Sequence, residues 1–340
     1  MKSLVVLTSL AALLTAAAGG ASAAPRSHAP PMMVVQRIPG PDGFWDYASF
    51  DPVKRRVYVA HGDTIMAIDA DTGKVNPHFA DAARSHEVLP LAGGAELLTT
   101  NSGDNTARIY DTATGALKAT IPTAKDPDAA AYDPATKRVF VMDGDSGEIT
   151  IIDPAAGKAT GSITVGGALE FAVADGKGRL YLNVEDKNEI VVVDSRAAKV
   201  LAHYPMPGCE GPTGLALTRE GLLISACANG VAEVLDAASG KKIAALKIGP
   251  RPDAAIYDPA RSRVYIPSGG DGTLAVLRLS GRKVTAAAVV HTQTGARTGT
   301  VDPRTGRIYL PAAKFTPPLA PGQRPAFVPG SFEVLVVAAG

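Results

Sequence analysis

Acidic residues recur at a nearly constant spacing in this sequence: Asp46, Glu87, Asp128, Glu170 and Asp253, with Thr213 and Arg297 at the two remaining equivalent positions. Carboxylates this far apart in a chain can act together only if the fold brings them to one place. Gathered at one mouth, with Arg297 as the single cation, like charges would raise one another's pKa values or recruit a cation. That is the chemistry of a site for a metal ion or a cationic ligand. Asp46, Glu87 and Asp128 are the expected metal ligands, for a divalent ion such as calcium, which accepts about six to eight oxygens. The competing expectation is that each carboxylate caps its own turn or pairs with a neighbour such as Arg251.

Further candidates cluster in the same sector. His61, His86 and His291 fall in loops assigned to the same face, Trp45 adjoins Asp46, and Asn101 ends a strand nearby. The expected ligand-binding set is therefore Trp45, Asp46, His61, His86, Glu87, Asn101, Asp128, Glu170, Asp253, His291 and Arg297. A Pro-rich insertion, residues 314–330, brings Phe315 and Phe327 to this face and is read as a lid, because its prolines keep it out of a sheet. His78 and His203 fall in outer strands and are read as surface residues. No catalytic residue is assigned: there is no G-x-S-x-G elbow, no metal spacing of the H-x-x-x-H or C-x-x-C kind, and no dinucleotide fingerprint. Cys209 and Cys227 are the only cysteines and lie in neighbouring loops, so a disulfide is expected. Metal ligation or a reactive thiol is the alternative.

The elements that must position these residues are read from a repeat. Segments such as "FDPVKRRVYVAHGDTIMAIDADTGKV" and "YDPATKRVFVMDGDSGEITIIDPAAGKA" share a strand, a turn at Asp, an apolar strand, a Gly/Asp turn, and a third strand ending in Asp. Marker positions at Asp51, Asp133, Asp175, Thr218, Asp258 and Asp302 are 40–44 residues apart, except for a first gap of 82 that holds two copies. Seven units of four short strands predict an all-β, seven-bladed β-propeller of antiparallel blades over residues 33–340. The last unit has three strands, and an orphan strand at Met33–Pro39 precedes the first. Pairing the two closes the ring and removes an exposed sheet edge.

The first residues are set apart from the fold. A Lys2 start, an apolar run from Leu4 to Ala18 and Ala21-Ser22-Ala23 predict a cleaved signal peptide over 1–23, followed by a disordered leader over 24–32. A soluble periplasmic or secreted protein follows, with no membrane span after cleavage, and a monomer is expected. With 34 basic against 33 acidic residues and no basic run, nucleic acid is an unlikely partner.

The apolar strands Val57-Tyr58-Val59-Ala60, Leu98-Thr99-Thr100-Asn101, Val139-Phe140-Val141 and Leu180-Tyr181-Leu182-Asn183 resemble the YVTN-type β-propeller repeat of YncE-like exported proteins. The resemblance implies an exported propeller that binds a small molecule or a protein partner through one face. Two alternatives are carried with it. One is a metal-dependent propeller enzyme of lactonase or lyase type; the other is single-stranded DNA binding, which would need aromatics over a basic groove.

Overall fold

Two aspartates per repeat decide where most strands stop. Asp51 Oδ1 accepts the N–H groups of Val53 and Lys54 at 2.8 and 3.0 Å, and Asp258 Oδ1 those of Ala260 and Arg261 at 3.0 and 3.2 Å. The aspartate closing the third strand does the same: Asp69, Asp111, Asp194 and Asp236 each accept from residues two and three positions on. Such side-chain turns compete with the sheet ladder and end it. The glycine that follows is needed for its backbone. Gly115 sits at φ +76°, and a Cβ there would lie 2.3 Å from the Phe79 carbonyl oxygen.

The computed structural model describes Met1, Leu4 and residues 31–316 and 326–340. Apart from Met1 and Leu4, the expected signal peptide lies outside the described residues, as do positions 24–30 of the leader and 317–325 of the Pro-rich segment. The described residues from Pro31 onward form an all-β propeller of antiparallel sheets. No helix among the described residues is long and apolar enough to cross a membrane.

Counted by hydrogen-bonded sheets among the described residues, the propeller has six blades, which corrects the expectation of seven. Five sheets have four strands and one has six. The six-stranded sheet contains Arg56–Asp69 and Val75–Leu91, strands of 14 and 17 residues that run on where the repeat spacing predicts a break. The first half of Arg56–Asp69 pairs with Ala48–Asp51, and its second half with the start of Val75–Leu91. The end of Val75–Leu91 then pairs with Glu96–Asn101. Gly62 and Arg84, at φ +61° and +49°, bend these strands while Gly62 still pairs with Ser85, so the ladder is continuous through the corner. The first two repeat units are thereby merged, and an apolar cluster of Tyr58, Ile65, Val88, Leu97 and Tyr110 packs inside the merged sheet.

The chain ends meet as the orphan strand requires. Met32–Pro39 pairs antiparallel with Glu333–Ala339, from Met32 opposite Ala339 to Pro39 opposite Glu333. Burial grades outward within a blade: Arg138–Asp143 is almost wholly buried, whereas the edge strand Lys158–Thr164 buries only Ile163. Neighbouring sheets bury apolar faces on one another, as Phe140, Met142 and Ile151 do against Leu180, Leu182 and Val193. This face-on-face packing aims the first strand of each sheet at the central axis.

The expected disulfide is present. Cys209 and Cys227 are bonded, with Cα atoms 5.3 Å apart and a sequence separation of 18. Closing a loop of this length contributes about 3 kcal/mol in the chain-entropy account. A Cys209→Ala/Cys227→Ala variant is expected to lose about that much in urea unfolding, and to become insensitive to reductant. A variant as stable as the parent would show that the bond constrains nothing the fold does not already hold.

Candidate functional site at the channel mouth

The segments entering the innermost strands are tied to one another by polar residues. Thr298 Oγ1 donates to the Asp46 carbonyl at 2.7 Å, Thr213 Oγ1 to that of Pro252 at 2.9 Å, and Asn183 Nδ2 to that of Thr213 at 2.7 Å. Thr100 Oγ1 donates likewise to the Asp128 carbonyl. Backbone bonds run Tyr47 N–H to His86 O and Asp253 N–H to Arg297 O, each at 3.1 Å. Side chains at these positions are therefore held on rigid inner edges rather than on free loops.

Together they enclose a recess of about 340 Å³. Seven carboxylates line it: Asp46, Asp126, Asp128, Asp145, Glu170, Glu185 and Asp253, with Arg297, His86, Tyr47 and Phe44. Arg297 is engaged on one side, its Nε 2.7 Å from Asp253 Oδ2 and its Nη2 3.5 Å from Asp46 Oδ1. His86 Nδ1 lies 2.6 Å from Asp46 Oδ2 and 3.3 Å from Asp128 Oδ1, while Nε2 lies 2.9 Å from Ser102 Oγ. The geometry fits a protonated Nδ1 donating to Asp46. Asp46, His86 and Asp128 each offer a ligand atom within 4.8 Å of the others.

The electrostatics follow from burial and from the crowding of like charges. Burial, then the charges of Asp46 and Asp253, push the Asp128 carboxyl well above the ordinary carboxylate range. Burial and the charge of Asp128 do the same to Glu170. Asp253 is raised by burial to about 6, with Arg297 holding it down. The Tyr47 hydroxyl is pushed up by burial and the carboxylates around it. Such an arrangement favours either protons or a bound cation.

Of the residues expected from sequence, Asp46, His86, Asp128, Glu170, Asp253 and Arg297 come together here. The others do not line the recess. Glu87 is buried and its Oε1 accepts the Val88 N–H at 2.9 Å, so in the expected metal set the neighbouring His86 takes its place. Asn101 is buried and spends its amide on Ala83, Thr99 and Thr106. His61 packs edge-on to Phe332 with ring centroids 4.6 Å apart, and burial lowers its pKa. His291 is exposed at the end of an edge strand. Trp45 faces a neighbouring cavity. Counting from a single loop type missed Asp126, Asp145 and Glu185; the last two follow the second strands of their repeats, at Asp143 and Val184.

The fold is that of a β-propeller, with an acidic recess where its innermost strands begin. The chain belongs to the family described as outer membrane protein assembly factor BamB, which matches residues 53–243. The propeller repeat expected from sequence is thus supported, though not the seven-blade count, and the family shown is this one. Similar solved chains include a streptogramin B lyase, with 13% identity, 91% of this chain and 98% of that one covered, and a TM-score of 0.70. The hydrazine synthase of Kuenenia stuttgartiensis has 17% identity, coverages of 80% and 92%, and a TM-score of 0.69. A chain of the mitotic checkpoint complex has 15%, 90%, 96% and 0.74. At these identities the likeness is one of fold alone. No curated protein matches the chain.

Proposed function

We propose that this protein is an exported, non-catalytic binding module that captures a small cationic group at its channel mouth. The observation that carries this reading is the charge imbalance of the recess: seven carboxylates against Arg297 and His86. A concave, partly desolvated surface of one sign focuses potential and concentrates counter-ions. The family's description as an assembly factor supports binding over catalysis. The outer membrane in that description, the disulfide and the YVTN-like strands support a place outside the cytoplasm. The same acidity opposes DNA, whose phosphates need basic partners.

One observation favours a second reading, a metal-dependent enzyme: the Asp46, His86 and Asp128 cluster. An imidazole with two carboxylates suits a first-row transition ion better than calcium, which prefers oxygen throughout. Calorimetry with Mn²⁺, Zn²⁺, Ca²⁺ and 1,4-diaminobutane separates the readings. Binding of at least one cation is expected, weakened about tenfold or more by Asp46→Asn and less by Glu170→Gln. Stoichiometric metal retained through purification and lost in His86→Ala would favour the enzyme. A parent protein that binds none of the four would overturn the cation site.

A further inference from the structure

The acidic recess has a larger neighbour. A cavity of about 870 Å³ opens beside it and shares Phe44 and Arg297 with it as a common wall. Its lining is aromatic where the recess is ionic. Trp45 lies 6.0 and 6.4 Å from the rings of Phe315 and Phe327, which meet edge to face at 6.1 Å. Volumes of a few hundred Å³ with apolar walls and a few placed polar groups are typical of small-molecule sites.

Among its polar residues, beside Thr294 and Arg297, is the exposed Arg251. It stands between Pro250 and Pro252, and its backbone adopts φ +55°, a left-handed conformation that costs about 1 kcal/mol for a non-glycine residue. Its N–H donates to the Ala228 carbonyl and its own carbonyl accepts from Gly269, each at 3.0 Å. The two prolines and these bonds fix the turn that carries it. Unlike Arg297, which is held by Asp253 and Asp46, the Arg251 guanidinium makes no hydrogen bond or ion pair among the described residues. A planar, permanently charged fork in an aromatic cavity matches a carboxylate.

We propose that the two cavities form one site for an amphipathic zwitterion, an amino-acid-like molecule. Its ammonium enters the acidic recess, its aromatic or branched apolar body lies on Trp45, Phe315 and Phe327, and its carboxylate pairs with Arg251. This assignment rests on the recess being a cation site and names the rest of the molecule that carries the cation.

Trp45 is the sole tryptophan and lines this cavity, so its fluorescence is the probe of it. The probes are L-phenylalanine, 2-phenylethylamine, which lacks the carboxylate, and 3-phenylpropionate, which lacks the ammonium. L-Phenylalanine is expected to shift the emission at a concentration at least tenfold below either truncated probe. Arg251→Gln should reduce L-phenylalanine to the level of 2-phenylethylamine while leaving 2-phenylethylamine unchanged, which a folding defect would not do. Asp46→Asn should weaken the two amines and spare 3-phenylpropionate. Equal affinity for L-phenylalanine and either truncated probe would overturn the proposal, and so would silence of Trp45 to all three. Should calorimetry still show metal or diamine binding in that case, the recess stands and only the bipartite ligand falls; if neither binds, both fall.

Discussion

An Arg55→Met variant is expected to lose about 3–5 kcal/mol of stability at pH 7, nearer the lower figure, and to melt roughly 6 °C or more below the parent. Arg55 places Nη1 and Nη2 on the two oxygens of Asp302 at 2.8 and 2.7 Å, across 247 positions of sequence. It thereby fastens the first hairpin to the sheet that closes the ring. Asp302 is fully buried. Burial by itself would raise its carboxyl, but the Arg55 fork, the Thr305 hydroxyl and the Arg304 N–H outweigh that and hold it at about 2. Removing Arg55 leaves a buried carboxylate with only Arg304 N–H and Thr305 Oγ1, at 2.9 and 2.7 Å. Those two donors set the lower figure.

The pH dependence of this loss follows from linkage. The folded carboxyl lies below its ordinary value of 3.8, so its contribution is complete above that value and disappears as pH falls through about 2. The gap between Arg55→Met and the parent should therefore be constant from pH 7 to about 5 and close toward pH 2. Adding Asp302→Asn should recover much of the loss at neutral pH, since the orphaned charge is then gone. Urea unfolding across this range decides it. A gap that persists at pH 2 would assign the role of Arg55 to its stacking on Phe50, 5.1 Å away, rather than to Asp302.

The strands and the closure of the ring were legible because their signals are local. Turn aspartates such as Asp69 and Asp236 and glycines such as Gly115 act within a few residues, and an unpaired strand at each chain end has one economical solution. The sheet count was not legible, because a residue in the left-handed region can either end a ladder or bend it. At Gly62 and Arg84 it bends, and pairing continues through Gly62 and Ser85. The site shows the same division. A fixed offset from the turn aspartates found Asp46, Asp128, Glu170, Asp253 and Arg297. In the second repeat the register moves by one residue, and a one-residue shift turns a strand's side chains to the other face. His86 therefore enters the recess and Glu87 goes into the protein. The expectation that put His61 in a loop failed because the residue lies inside the strand Arg56–Asp69, with its ring packed on Phe332.

Stability should also fall on the alkaline side, and Asp143 is the residue that tests why. Burial pushes its carboxyl to about 7, even though Thr150 donates to Oδ2 through both N–H and Oγ1, at 3.1 and 2.7 Å. The other oxygen, Oδ1, is buried without a partner, so ionisation would leave charge on an unsolvated atom. Glu87, raised by burial to about 8, acts in the same direction. For an acid whose folded value lies above its ordinary 3.8, the stabilising state is the protonated one. That contribution is whole below the ordinary value and is lost as pH rises through about 7. The parent should therefore be more stable at pH 5 than at pH 8. Asp143→Asn keeps the acceptor for Thr150 and cannot ionise, so its stability relative to the parent should rise by up to about 3 kcal/mol between pH 5 and pH 8. Urea unfolding at the two pH values gives the comparison. Equal destabilisation at both would mean that the buried carboxyl is ionised and held by groups that the amide cannot satisfy. Asp143 adjoins Gly144 and Asp145, which line the recess. The substitution should therefore leave cation binding at pH 5 unchanged and weaken it only where Asp143 is itself charged, which separates its effect on the fold from its effect on the site.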